Sequence, residues 1–486
     1  MSSGRSLHLL CRNLLTSMVL GSLMLFFSGC SAVGPDYVRP DMPMPEKWNA
    51  GTGRGIIPGP TDQDELALWW STLNDPVLSG FIERAVKANP DLRKARARVR
   101  QARARHGISK AGLFPSVDAS GAMSKRRGSE DTGGGTESDL YDAGFDAGWE
   151  LDLFGSVRRS IESAEADLRA SEEDLRDVLV TLLSEVALNY VEVRSFQARL
   201  VFAGASLEAQ TETYKITQWR FQAGLTTQLD VEQARYNMEQ TRSQIPALQI
   251  SLEQAGNRIA VLLGKNPGSL KDELAEQRAV PLPPAGIAIG IPADILRQRP
   301  DIRRTERQLA GQTAKVGVAT ADLYPKFTLS GSIGIEALTL NNLFRYSSRS
   351  YRVSPGFSWN VFDAGSIRQN IEVQNALQEQ AMIQYEQTVL TALEDVENAL
   401  VSYYGNQERM LSLKEASQAA QRASDIAQYQ YSSGLIDFQT VLTAQRSLLS
   451  LQDQLETSRA SVTSNLISLY KALGGGWTAM VNENEP

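Results

Sequence analysis

The stretch Tyr141-Asp142-Ala143-Gly144-Phe145-Asp146-Ala147-Gly148-Trp149-Glu150-Leu151-Asp152-Leu153 alternates without a break. Tyr141, Ala143, Phe145, Ala147, Trp149, Leu151 and Leu153 share one face. Asp142, Gly144, Asp146, Gly148, Glu150 and Asp152 share the other. Period-two alternation marks a β-strand between two unlike surroundings. A soluble sheet with one wet side satisfies it, and so does a barrel strand with lipid outside and water inside. Runs of ~10–14 residues suit tilted membrane strands, which need ~9–11. Aromatic residues near the strand ends fit the interface girdles of such barrels: Phe114, Tyr141, Trp149, Phe154, Tyr324, Tyr351, Trp359 and Phe362.

The pattern returns downstream. Tyr351, Val353, Pro355, Phe357, Trp359 and Val361 oppose Arg352, Ser354, Gly356, Ser358 and Asn360, while Val117 to Ser124 and Phe327 to Ile335 alternate more weakly. The expected connections are polar: the tract from Lys125 to Gly135, then Asn341-Asn342 and Ser347-Ser348. This recurrence belongs to a larger one. Asn89-Pro90-Asp91-Leu92 returns as Arg299-Pro300-Asp301-Ile302, Leu113-Phe114-Pro115 as Leu323-Tyr324-Pro325, and Leu263-Gly264 as Leu473-Gly474. Each offset is 210, as in 299 − 89 and 474 − 264. The period far exceeds the ~20–50 residues of solenoid repeats. It predicts two copies of one long unit, residues 89–264 and 299–474, with strand hairpins at 114–154 and 324–362 and helical hairpins at 156–264 and 366–474.

Four strands cannot close a barrel, for which about eight is the smallest number. An open edge in lipid leaves backbone groups unpaired at several kcal/mol each. Membrane strands would therefore have to be pooled, by two chains (eight strands) or three (twelve).

Between Gly155 and Phe221 there is no proline, and Gly204 is the only interior glycine; Ser366 to Ser432 behaves alike around Gly405. Some 65 residues of helix span about 100 Å. Apolar positions at three/four spacing (Leu175, Val178, Leu179, Leu182, Leu183, Val186) predict packing against neighbouring helices. Each long helix ends in a turn, Ala223-Gly224-Leu225-Thr226-Thr227 or Ser433-Gly434-Leu435-Ile436-Asp437, and a second helix returns. Gly224 and Gly434 suit the left-handed position that ends a helix. Thr227 and Asp437 suit the N-cap of the next one, with Asp230 and Thr440 three residues on.

At the N-terminus, Arg5 and Arg12 precede the apolar run Leu14 to Phe27, and Ser28-Gly29 precede Cys30. This order predicts a secretory signal over 1–29. The run is shorter than the ~20 residues a spanning helix needs. Phe27-Ser28-Gly29-Cys30 resembles a bacterial lipoprotein box, with Phe27 in place of the usual Leu, which implies lipidation of Cys30. By the same analogy Ser31 points to outer-membrane sorting.

The 486 residues carry a formal charge of −7, which speaks against general attraction to nucleic acid. The basic run from Arg93 to Arg105 reads as a solvated helix face. Beyond His8 and Cys11 of the leader, only His106 and Cys30 remain, so no disulfide framework and no Cys/His metal site is available. No pair of carboxylates stands out, and neither a catalytic site nor a cofactor is expected.

The chain resembles the TolC-like outer-membrane factors, in their lipoprotein branch of nodulation and multidrug-efflux type. The resemblance is carried by Gly34-Pro35-Asp36-Tyr37 with Arg39-Pro40, Trp69-Trp70 before Asp75-Pro76, Asn89-Pro90-Asp91-Leu92, and Gly290-Ile291-Pro292-Ala293-Asp294 running into Arg299-Pro300-Asp301-Ile302. It implies an α+β membrane protein: a homotrimer with one twelve-stranded outer-membrane β-barrel continued by a periplasmic α-helical barrel. Residues 30–88, the Pro-rich linker 265–298 and the tail 475–486 would form a belt around the helices. The resemblance further implies a passive exit duct fed by a periplasmic adaptor and an inner-membrane pump. Gly224, Leu225, Thr226, Gly434, Leu435 and Ile436 match the family's adaptor-contacting tip turns. Asp230, Asp437, Thr440 and Thr443 are the candidates for a tip constriction. Asp142, Asp146, Glu150 and Asp152 would line the barrel lumen. A stand-alone porin and a periplasm-spanning structural lipoprotein are the competing readings.

Overall fold

The computed structural model describes residues 32–49, 56–58, 63–132, 134–284, 287–289 and 297–478. The leader 1–29, Cys30, the Gly290–Asp294 motif and the last residues of the tail lie outside them. The main elements are α1 (Pro76–Ala88), α2 (Pro90–Ala111), β1 (Ser116–Arg127), β2 (Glu137–Leu151), α3 (Ser156–Gln222), α4 (Gln228–Leu262), α5 (Pro300–Ala321), β3 (Lys326–Ala337), β4 (Arg349–Ser358), α6 (Ser366–Ser432) and α7 (Phe438–Ala472). Both long helices have 67 residues and both returning helices 35. No described helix is long and apolar enough to cross a membrane.

The chain divides into two compact units. One holds the segment up to Asp41 with Val99–Ser171 and Thr305–Tyr385. The other holds Met42–Arg98, Glu172–Arg304 and the chain from Glu386 on.

The first unit carries an antiparallel sheet in the order β1-β2-β3-β4. Its register puts like residues in rows. Ala119, Phe145, Ile333 and Tyr351 form one row, and Asp118, Asp146, Ser332 and Arg352 the next, on the opposite face. The apolar face is bare: Val117, Met123, Phe145, Ile333, Tyr351, Val353 and Phe357 are all exposed, Tyr351 by 85%. A contiguous apolar face of this kind marks a membrane or partner surface. At the sheet's end the Trp149 indole donates to the Leu113 carbonyl (3.0 Å), and Trp359 repeats this with Leu323 (3.0 Å). Phe154 stacks on Tyr324 at 4.6 Å.

Two expectations need correction. Lys125, Arg126 and Arg127 belong to β1, not to the connecting loop. They pair in register with Asp139, Ser138 and Glu137 of β2; Lys125 approaches Glu137 at 3.4 Å, and Arg127 bonds Glu130 of the connection at 2.9 Å. Asp152 lies beyond the end of β2 and caps α3. Its carboxylate accepts from the Val157 and Arg158 amides (3.0 and 2.9 Å) and pairs with the Arg158 guanidinium, so it leaves the lumen set.

In the second unit, Trp69, Trp70, Phe81, Leu183, Val186, Tyr190, Ile259, Val396, Tyr403, Leu466 and Tyr470 form the core. Of the six positions at three/four spacing, Leu179, Leu182, Leu183 and Val186 are buried, and Leu175 and Val178 pack half-buried against the same core. Trp69 stacks on Tyr470 at 5.5 Å. The repeat is visible in single hydrogen bonds. The Asn89 amide donates to the Leu262 carbonyl (2.9 Å), and Arg299, 210 residues on, donates to the Ala472 carbonyl (2.7 Å). Because Arg299 brings a charge, the second copy gathers carboxylates that sequence spacing did not pair. Arg299 binds Asp301 and Asp395, Arg304 binds Asp174 and Asp177, and a cavity of about 220 Å³ lies among Asp177, Arg299, Asp301, Asp395, Ser468 and Lys471. Burial pushes Asp177 above the usual carboxylate range against the pull of Arg304. These are structural ion pairs, because each carboxylate already faces a guanidinium.

Candidate functional site: the two helical turns

Both turns lie in the second unit. The α3 helix ends with Gly224 at φ 73° and α6 with Gly434 at φ 78°, a region in which a side chain costs about 1–2 kcal/mol. Leu225 N–H reaches back to the Arg220 carbonyl (2.8 Å) and Gly224 N–H to Phe221 (2.9 Å). Leu435 and Gly434 do the same toward Gln430 (2.8 Å) and Tyr431 (3.0 Å). This is the Schellman arrangement, which satisfies carbonyls that a helix end would leave open. It turns the next side chain outward: Leu225 is 70% and Leu435 72% exposed.

The returning helices are capped in two ways. Thr227 and Asp230 form a capping box, and the Asp230 carboxylate also accepts from the Thr226 hydroxyl at 2.6 Å. Burial pushes Asp230 up, but these donors outweigh it and leave the carboxyl below its ordinary range. In the second copy Asp437 is the cap itself, accepting from the Thr440 amide (2.8 Å) and hydroxyl (2.6 Å). Those two bonds hold Asp437 low, while slight burial and the nearby Asp230 charge push the other way. Thr440 spends its hydroxyl on Asp437, and Thr443 spends its own on the Gln439 carbonyl (2.8 Å). Ile436 differs from its neighbours. It packs against the small cluster of Ala234, Ala427, Tyr431, Phe438, Val441 and Leu442, so only part of it faces outward.

Asp142 and Asp146 lie on the polar face of the sheet, opposite Tyr141 and Phe145, and Asp146 accepts from the Ser120 hydroxyl at 2.8 Å. Glu150 pairs in register with Thr328 on that face.

Sequence reading missed the ties between the hairpins. Arg220 donates to the Tyr431 carbonyl (2.7 Å) and lies over the Tyr431 ring at 4.6 Å, while the Tyr431 hydroxyl meets Thr217 at 3.2 Å. Arg446 donates to Asn237 (2.8 Å), and Gln445 to Thr213 (2.9 Å). A signal existed: Phe221 and Tyr431 are repeat partners, and only the second has a hydroxyl. Also missed were Trp219 and Tyr429, aromatic residues 210 apart and 65% and 72% exposed just before the turns.

The family model described as outer membrane efflux protein matches the chain twice, over residues 81–265 and 291–475. The two matches stand at the same offset, since 291 − 81 and 475 − 265 are both 210. Nodulation protein T of Rhizobium leguminosarum bv. trifolii is 32% identical over 463 residues, spanning 93% of this chain and 96% of the relative. The toluene efflux pump outer membrane protein TtgI of Pseudomonas putida is 32% identical over 469 residues, 94% and 98% of the two chains. Among solved structures, the outer-membrane channel OprN is 38% identical and superposes with a TM-score of 0.86, covering 92% of this chain and 99% of the other. The chain belongs to the outer membrane efflux protein family, and its work is efflux through the outer membrane rather than catalysis.

Proposed function

We propose that three copies of this chain pool their sheets into one twelve-stranded barrel, and that their helical hairpins form the conduit leading to it from the periplasm. The observation that carries this reading is the four-stranded sheet itself. Its two outer strands, β1 and β4, have no further strand partner among the described residues, and its apolar face is bare. Unpaired backbone edges in lipid cost several kcal/mol per group, and closure by further copies removes them.

In this reading, the exposed Leu225 and Leu435, with Trp219 and Tyr429 behind them, form an apolar tip that receives a periplasmic adaptor coupled to an inner-membrane pump. Gly224, Thr226, Gly434 and Ile436 shape the turns that present it. Asp230 and Asp437 mark the tip constriction, where three copies would bring like charges toward one axis and could hold cations there. Cys30 carries the lipid that fastens the N-terminus to the outer membrane, supplementing the barrel. No cofactor takes part, because the pump supplies the energy. That TtgI is named as a component of an efflux pump supports this assembly over a porin working alone.

Crosslinking in cells tests it. Cysteine at Leu225 or Leu435 should capture a periplasmic adaptor, whereas cysteine at Val38, 80% exposed in the first unit, should not. Equal capture at all three sites, or none at the turns, favours the stand-alone channel.

A further inference from the structure

The motif Gly34-Pro35-Asp36-Tyr37, with Arg39 after it, is laid across two helices of the first unit. The contacts are close enough to require particular residues. The Val33 amide donates to the Phe154 carbonyl at 3.0 Å. A Cβ on Gly34, whose φ is +92°, would stand 2.4 Å from the Gly317 Cα of α5. A Cβ on Gly155, just before α3, would stand 2.4 Å from that of Ala32. Real Cβ atoms do not approach so closely, so glycine is the residue that fits at both crossings.

Two buried charges, one from each helix, hold the segment. Arg159 of α3, its side chain 5% exposed, donates to the Val33 carbonyl (3.2 Å), the Gly34 carbonyl (3.3 Å) and the Asp36 carboxylate (2.7 Å). Glu306 of α5, also 5% exposed, accepts from the Tyr37 hydroxyl (3.3 Å) and pairs with Arg39 (3.3 Å). The planar guanidinium fork suits several fixed acceptors at once.

The helices α3 and α5 belong to different repeats. The repeat partners of Gly317 and Gly155, which are Gly107 and Gly365, have open space where a Cβ would stand, and Arg159 is matched by Gln369. The segment thus exists once per chain, at one of two repeat-related places.

We propose that residues 32–39 are a staple that fastens the first repeat to the second within one chain, with Arg159 and Glu306 as its two anchor points. It holds the start of α3 against α5, an attachment that the repeat symmetry alone does not supply. This assignment does not depend on the export reading.

Hydrogen exchange on the purified full-length protein tests it. Arg159→Gln and Gly317→Ala should each speed exchange about tenfold, both in the segment around Val33 and in the facing parts of α3 and α5. The amides of β1 to β4 should stay protected, and Gln369→Ala should change nothing. Faster exchange around Val33 alone would make the segment a docked tail and overturn the staple. No change overturns it as well. Equal loss of protection in the strands would make Arg159 a general folding residue and overturn it too.

Discussion

The left-handed glycines and the capping residues make the two turns. Gly224→Ala should cost about 1 kcal/mol at the hairpin, measured as a lower unfolding midpoint, because alanine at φ 73° meets its own backbone. Asp437 serves as both cap and charge, and one substitution separates the roles. Asn caps as well as Asp, so Asp437→Asn keeps the helix start and removes the carboxylate. Single-channel conductance should rise in this variant. Unchanged conductance would leave capping as the residue's whole role. The depressed Asp230 and Asp437 carboxyls also set a pH dependence. A lowered folded-state pKa stabilises fully above the ordinary value of about 3.9 and fades as pH falls through the lower folded value. Exchange at the two turns, corrected for its intrinsic rate, should be flat from pH 5 to 8 and rise only below about pH 4.

At the scale of elements, each copy is a strand hairpin followed by a helical hairpin, and the ends are finished alike. All four hairpin helices stop on a glycine with positive φ, at Gly224, Gly264, Gly434 and Gly474. Where the copies differ, they are tied together. The Arg220–Tyr431 contact joins the end of α3 to the end of α6, and a cation–π contact of this kind contributes about 0.5–1 kcal/mol near the surface. Arg220→Ala should loosen the two hairpins and raise conductance in a bilayer. Tyr431→Phe, which loses only the bond to Thr217, should do so less.

For the whole molecule, the face that would line a closed barrel is acidic. Sheet register places Asp118, Asp142, Asp146, Glu150 and Glu336 on it, against Arg126, Lys326 and Arg352. Three copies would multiply that imbalance and focus a negative potential along the pore. Reversal potentials in a salt gradient should show cation preference. Neutralising Asp142, Asp146 and Glu150 together should reduce it at least severalfold, and equal permeability in the unmodified protein would sink the idea.

The sequence by itself determined the elements and their order. Strand alternation, unbroken helical runs, glycine stops and N-caps are local patterns, fixed by residues within a few positions of one another. The 210-residue offset then carried each reading from one copy to the other. Even the position of Trp149 above Leu113 has its twin in Trp359 and Leu323. The tertiary structure alone decided the contacts between distant segments. Tyr37 meets Glu306 across 269 positions and Arg304 meets Asp174 across 130. Asp152 became a cap because the chain turns into α3 there, and Asp177 entered an ion-pair cluster because α5 delivers Arg304 to it. Such pairings depend on which helix faces lie against each other in space, and no spacing along the chain encodes that.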